Sequence, residues 1–571
     1  MDFVIGLHSH LPYVLRHGRW PHGSDWLCEA ALDTYLPLLD KIEEMSARGV
    51  RCPVTIGFSP VLANQLVDPA FVAELDAFLA QRLAACDEAR RTLPQTGDAA
   101  LLPLVDFWEA RFRRLGARFE AEGCNIVAAF ARLEAAGNLE VMTCAATHGY
   151  LPLLARDESI RLQLAVARTE HRRLFGRESA GCWLPECAYR PAGWWGPAAD
   201  APHPGPRVGI EEHLADAGFG FFFTDAHLAQ AGSALGGYAE VPIGAERFGA
   251  ARHDPTRYGG DGAWRTPYRA YLAGSVGGRA PRRVAALVRD PRSSMQVWSR
   301  QLGYPGDEWY LEFHKIRWPG GLKLWRVSWP SVDLGDKRPY DPSAALAQVA
   351  LHASHFASLL SGLQRSGNGR EGGLIAAPFD TELFGHWWFE GVDFLAAVYR
   401  NLADRPDVRP VTASEHLAAH PPRSVVELAP GSWGAGGDDG MWLNERTTWT
   451  WRRLWPLEDR FWDVAPRALA LPEARPVLAQ AARELLLAQA SDWQFLITSG
   501  AVTDYAERRF ALHADDTERL VAALESAAAG GRLPEGAAAT ADELQRRDAL
   551  FPDLLPQVAS AIEHSGAGAR A

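Results

Sequence analysis

Two carboxylates carry the strongest chemical signal in the chain. Asp380 stands in GGLIAAPFDTELFGHWWFEG, residues 372–391, where the short apolar run Leu374–Ala377 meets a charged and aromatic loop with almost no spacer. Glu186 stands in AGCWLPECAYRPAGWW, residues 180–195, built to the same plan: a small apolar strand, a proline, an acid, then Tyr189, Arg190 and the Trp194–Trp195 pair. An acid after a buried strand is often only the cap of the next helix, and tryptophan is more often core than ligand contact. Two segments of one design shift that balance. In barrels and open parallel sheets ligands sit at the carboxyl ends of strands, and indole rings suit the C–H faces of sugars. Retaining glycoside hydrolysis needs a pair of carboxylates about 5–5.5 Å apart, one a nucleophile and the other a general acid/base.

Holding such a pair requires strands that end together. Apolar runs bounded by turn residues predict strands at Phe3–Leu7, Val54–Phe58, Leu139–Thr143, Gly220–Thr224 and Val284–Val288, besides the two above, with a last short strand at 409–412 completing a barrel. Polar groups follow several of them: His8 and His10, His148 and Tyr150, Asp225 and His227, Arg289 and Asp290. His8 and His10 are candidate metal ligands if an aspartate or a third histidine joins them; the other reading has His10 on a sugar hydroxyl and His8 packed structurally. Helical spacing across 59–118 predicts an insertion on the barrel, and residues 226–268 lack any pattern, which predicts a mobile lid from which Tyr238 or Tyr258 reaches a substrate. Domain boundaries follow: a catalytic barrel over 1–415, a helical C-terminal domain over 416–530, and an Ala/Gly-rich tail extension over 531–571. In the glycine-rich loop 430–445, Trp433 and Trp442 lie off any helical stripe and are candidates for rings returned to the site.

Composition narrows the function class. With 571 residues and a 47% hydrophobic fraction, the chain has ample material for a large core and a second unit. A net charge of −12 without a basic cluster argues against nucleic acid or an anionic membrane as partner. MDFVIGLHSHLPY lacks the basic and apolar regions of a signal peptide, and no apolar run reaches membrane-spanning length. Seven cysteines, an odd number without regular spacing, read as free thiols and predict a cytoplasmic location. Twenty-one tryptophans exceed ordinary core needs and suit a polysaccharide partner.

Assembled in order, the segments LHSHLPYV, GNLEVMTCAATHGYLPLL, WLPECAYRP, APFDTELFGHWWFEG and GSWGAGGDDGMWLNE resemble glycoside hydrolase family 57, and within it the group of 1,4-α-glucan branching enzymes. The resemblance implies a distorted (β/α)7 barrel with a helical insertion and a helical C-terminal domain. It implies Glu186 as nucleophile and Asp380 as general acid/base, and an α-glucan such as amylose or glycogen as substrate, with no metal or organic cofactor. By motif position His10, His148, Trp298, Trp433 and Trp442 line the substrate groove, with Trp26, Asp492, Trp493 and Phe495 as further candidates and Tyr238 on the mobile loop. An α-amylase or a 4-α-glucanotransferase of the same family would share both carboxylates. A metal-dependent deacetylase or mannosidase built around His8 and His10, and a non-catalytic glucan-binding protein, are the alternatives outside that class.

Overall fold

The computed structural model describes residues 1–19, 22–231, 265–275, 278, 283–298, 303–329, 331–365 and 373–568. Seven strands form its centre: β1 (Asp2–Ser9), β2 (Val54–Phe58), β3 (Leu139–Cys144), β4 (Cys182–Trp183), β5 (Phe221–Thr224), β6 (Val284–Val288) and β7 (Leu374–Asp380). β1 pairs in parallel with β7 on one side and with β2 on the other, and β3 and β4 follow. β5 pairs in parallel with β6. Single parallel bridges, Gly181 to Phe221 and Arg289 to Ala376, attach that pair to β4 and to β7, so the ring closes in chain order. This is the distorted (β/α)7 barrel.

Side-chain alternation decides what fills it. Val4, Met142, Cys144, Trp183, Phe221, Phe223, Leu287 and Ala376 pack together inside the ring, while Phe3, Ile5, Leu7, Phe222, Ala286 and Ala377 join the outer layer beneath the helices. Both faces of each strand are thus buried, which is why the sequence shows continuous apolar runs. Gly6 falls between two inward positions; a Cβ there would lie 2.8 Å from the Phe223 ring, so the missing side chain lets that ring cross the barrel.

Two features depart from the sequence reading. Arg409–Pro410 does not complete the ring. β2 pairs with β1 only from Gly6 to Ser9, and Arg409–Pro410 takes the edge left at Asp2 and Phe3; β6 and β7 close the barrel instead. The tail from 531 is not a loose extension. It holds helices Ala537–Arg547 and Leu555–Gly568, and Leu550, Phe551, Leu554 and Val558 are buried in the main core. Arg483 donates to the Phe551 carbonyl at 3.0 Å, and His17 lies 2.6 Å from Asp548, tying the tail to the segment after β1. Finally, 232–264, most of the expected lid with Tyr238 and Tyr258, lies outside the described residues.

The insertion after β2 is helical, with Pro60–Val67, Pro69–Thr92 and Leu102–Ala121. The C-terminal region packs Thr448–Ala470, Arg475–Ala488, Asp492–Ser499 and Thr503–Gly530. Among the described residues no helix is long and apolar enough to cross a membrane.

Candidate active site

The candidate residues gather at the carboxyl ends of the barrel strands, where barrel sites lie. Asp380 is the last residue of β7 and stands in register with His8 of β1. Glu186 comes three residues after β4, in a turn where its own backbone is left-handed, φ 60° and ψ 21°. Such a conformation is uncommon for a residue with a side chain and persists only where surroundings impose it. Trp433 imposes it here. Its backbone N–H donates to the Glu186 carbonyl at 3.0 Å, and its indole N–H donates to the Glu186 carboxylate at 2.9 Å.

The two acids differ in what surrounds them. Burial raises the Glu186 pKa to about 7, with the Asp492 charge adding to the rise, while the Trp433 indole, His10 and the Ser491 hydroxyl oppose it. Burial pushes Asp380 well above the usual carboxylate range, and the charges of Glu382 and Glu186 push the same way, against Arg289 alone. Donors thus favour the anion at Glu186, while neighbouring carboxylates disfavour it at Asp380.

Three histidines line the wall beside them. His8 is buried and stacks on Trp183 at 4.7 Å, with its Nε2 2.9 Å from His148 Nε2. His148 stacks on His10 at 3.9 Å, and its Nδ1 lies 2.8 Å from Ser491 Oγ. His10 reaches Ser59 Oγ at 2.8 Å and Asp492 at 3.0 Å, and its backbone N–H donates to Glu382 at 3.2 Å. Tyr35 also donates to Glu382. Burial holds His8 and His148 well below the ordinary histidine pKa, so both are neutral near pH 7. His10, His148 and Asp492 converge closely enough to hold a metal ion, as do His8, Cys144 and His148. Yet both ring nitrogens of His10 and of His148 already have protein partners, so a hydrogen-bonded network accounts for the cluster.

The aromatic candidates divide. Trp298 and Trp433 meet edge to face at 6.3 Å, both partly exposed, and Arg289 lies 5.7 Å over the Trp433 ring. Phe495 is partly exposed and stacks on Trp442 at 6.4 Å. Trp442 itself is fully buried, with Tyr150 stacked on it at 4.6 Å. Trp493 is also fully buried, its N–H on the Leu487 carbonyl at 2.8 Å, and is corrected from groove residue to core. Trp26 is half-buried on helix Ser24–Ala30, and among the described residues no hydrogen bond or ring contact ties it to the carboxylates. Sequence reasoning missed Tyr35, Ser59, Glu382 and Ser491 as members of this network, and placed Arg289 after a strand end without giving it a role. Ser491 and Glu382 had a signal, since each adjoins or nearly adjoins a named candidate; Tyr35, inside a helical stretch, had none.

The model of glycosyl hydrolase family 57 matches residues 4–429, and a model described as 1,4-alpha-glucan branching enzyme, C-terminal, matches 456–558. The 1,4-alpha-glucan branching enzyme TK1436 of Thermococcus kodakarensis is 39% identical over 518 residues, 90% of this chain and 72% of that protein. Its crystal structure superposes with a TM-score of 0.85, covering 97% of this chain and 96% of that one at 36% identity. A branching enzyme of family 57 from Pyrococcus horikoshii gives 0.84 at 37% identity, covering 97% and 96%. The alpha-amylase AmyC of Thermotoga maritima gives 0.76 at 27% identity, covering 98% and 99%. With the family model spanning three quarters of its length and the barrel in place, this chain belongs to glycosyl hydrolase family 57.

Proposed function

We propose that this protein is a 1,4-α-glucan branching enzyme that moves a segment of an α-1,4-glucan onto a 6-hydroxyl, with Glu186 as nucleophile and Asp380 as general acid/base. The observation that carries the reading is where the second wall of the site comes from. Ser491 and Asp492, which hold His148 and His10, belong to the C-terminal region matched by the branching-enzyme model. The site is completed by a part of the chain typical of branching enzymes rather than by the barrel alone.

In the first step Glu186 attacks the anomeric carbon while Asp380 gives its proton to the departing 4-oxygen. The C1–O4 bond breaks, a glycosyl ester forms on Glu186, and Asp380 is left as carboxylate. In the second step Asp380 takes the proton of an acceptor 6-hydroxyl, whose oxygen attacks C1 and releases Glu186. Two inversions keep the α configuration. His10 and His148, fixed by Ser59, Ser491 and Asp492, line the groove that holds the sugar; Trp298, Trp433 and Phe495 offer rings to the glucan. Trp442 supports Phe495 and Tyr150 from within. No step calls for a metal or an organic cofactor.

The test is product analysis on amylose. Branching lowers iodine colour with little new reducing sugar, and isoamylase then releases short chains from α-1,6 points. The likeness to AmyC keeps hydrolysis as the second reading: reducing sugar rising in step with lost colour, and no isoamylase-released chains, would establish an amylase instead.

A further inference from the structure

Between β6 and β7 the chain makes an aromatic excursion, 303–341, that the catalytic site does not use. One wall of a groove of about 550 Å³ is built from it by Trp309, Arg338 and Tyr340, and the other by Leu104 and Phe107 of the insertion helix Leu102–Ala121. That volume lies in the about 300–1,000 Å³ range of ligand sites. None of the residues placed in the catalytic site lines it.

The lining has the chemistry of a sugar site. Trp309 and Phe107 are partly exposed rings. The Arg326 guanidinium stacks on Trp309 at 4.1 Å, fixing that ring. Arg338 is exposed at the rim, and its guanidinium has no ion pair among the described residues. A guanidinium fork without a carboxylate is a ready donor for adjacent sugar hydroxyls. Asp341, also in the lining and exposed, caps helix Pro342–Leu363 by accepting the Ser343 and Ala344 N–H groups on Oδ1, which leaves only its other oxygen as an acceptor. The same excursion leaves Trp318 and Trp329 67% and 58% exposed. A net charge of −12 disfavours an anionic ligand, which leaves a neutral, hydroxyl-rich chain as the fitting occupant.

The groove is also joined to the reaction site. The Tyr340 hydroxyl donates to Glu390 at 2.6 Å, and Glu390 accepts the Leu311 N–H at 3.1 Å. Phe107 meets Phe389 edge to face at 6.3 Å. Glu390 and Phe389 end the loop that begins at Asp380.

We infer that this groove is a second α-glucan-binding site, separate from the catalytic one, which holds a remote part of a long or branched glucan. The inference rests on the branching reading for its ligand. Its consequence is a preference for long chains: a polymer reaching both sites gains effective concentration that a short chain does not.

The test uses the full chain carrying Arg338→Ala or Trp309→Ala. In a Glu186→Gln background, which leaves the probe intact, retardation in an amylopectin gel should weaken in both variants. With Glu186 present, KM for amylopectin should rise about tenfold while kcat and KM on short-chain amylose stay at wild-type values. The short-chain values also report folding, and Arg338, an exposed side chain, puts the fold at little risk. Unchanged retardation and unchanged KM in both variants overturn the inference. So does loss of a wild-type oligomer in light scattering without loss of retardation, because the groove is then an interface between copies. Absence of branching by the wild type is a different result and counts against the proposed function itself.

Discussion

The Glu186 corner and the Asp380 corner of the barrel mouth hold the same functional group in opposite condition. At Glu186 the loop 430–445 supplies an indole donor, Ser491 adds a hydroxyl, and the pKa stops at about 7. At Asp380 two carboxylates face a third, with only Arg289 in opposition, and burial and those charges together push the pKa well above its ordinary value. Burial alone would raise both alike. What separates them is who brings a donor, and at Glu186 the donors come from beyond residue 430.

The comparison can be broken most severely at the acids. Glu186→Gln removes the nucleophile and should cost about 10⁴-fold or more in turnover on amylose; a smaller loss would move the nucleophile elsewhere. Asp380→Asn should cost nearly as much on amylose but far less on a glycosyl fluoride, whose leaving group needs no proton. An equal loss on both substrates would remove Asp380 from the acid role.

Two milder changes sharpen it. Trp433→Phe deletes the indole donor that lowers the Glu186 pKa, so that pKa rises above about 7. Activity needs the Glu186 anion, so the acid limb of the kcat/KM profile should move to higher pH. Glu382→Gln removes a charge that raises Asp380, so the Asp380 pKa falls and the basic limb should move to lower pH. Limbs moving the other way, or not at all, would show that the donor asymmetry does not set the proton's place. The Gln side chain can still accept from Tyr35 and His10, which keeps the packing.

Much of the site was legible because strand ends announce themselves. The apolar runs before Glu186 and Asp380 gave both strands, and the polar residues after them fell at the mouth. The register that sets His8 beside Asp380 was not legible, since pairing joins segments hundreds of residues apart. The error at 409–412 has a related cause. A β-prone tetrapeptide looks like a barrel stave, and only the short contact between β1 and β2 shows that it fills a gap. The tail was misread from its alanines and glycines, while Leu550, Phe551 and Leu554, in the connector between helices Ala537–Arg547 and Leu555–Gly568, anchor it in the core together with Val558. Trp493 was read by motif as a contact, and its neighbours Ser491 and Asp492 are the residues that reach the site.

The barrel's closure has a mechanical meaning. β5 meets β4 and β6 meets β7 on one bridge each, and the rest of that edge of β6 pairs with Ala270–Ala273, whereas β1, β2 and β3 share long ladders with one another. Amides across those two seams should exchange with solvent sooner than the β1–β2 ladder, because fewer bonds must open together. These two staves end in Asp225 and Arg289, and Arg289 is the cation that opposes the loss of acidity at position 380. A small outward swing of this panel would withdraw positive charge from the proton donor and strengthen its hold on hydrogen; a return swing would loosen it. The seams with the fewest direct bonds therefore also flank the cation that trims the acid.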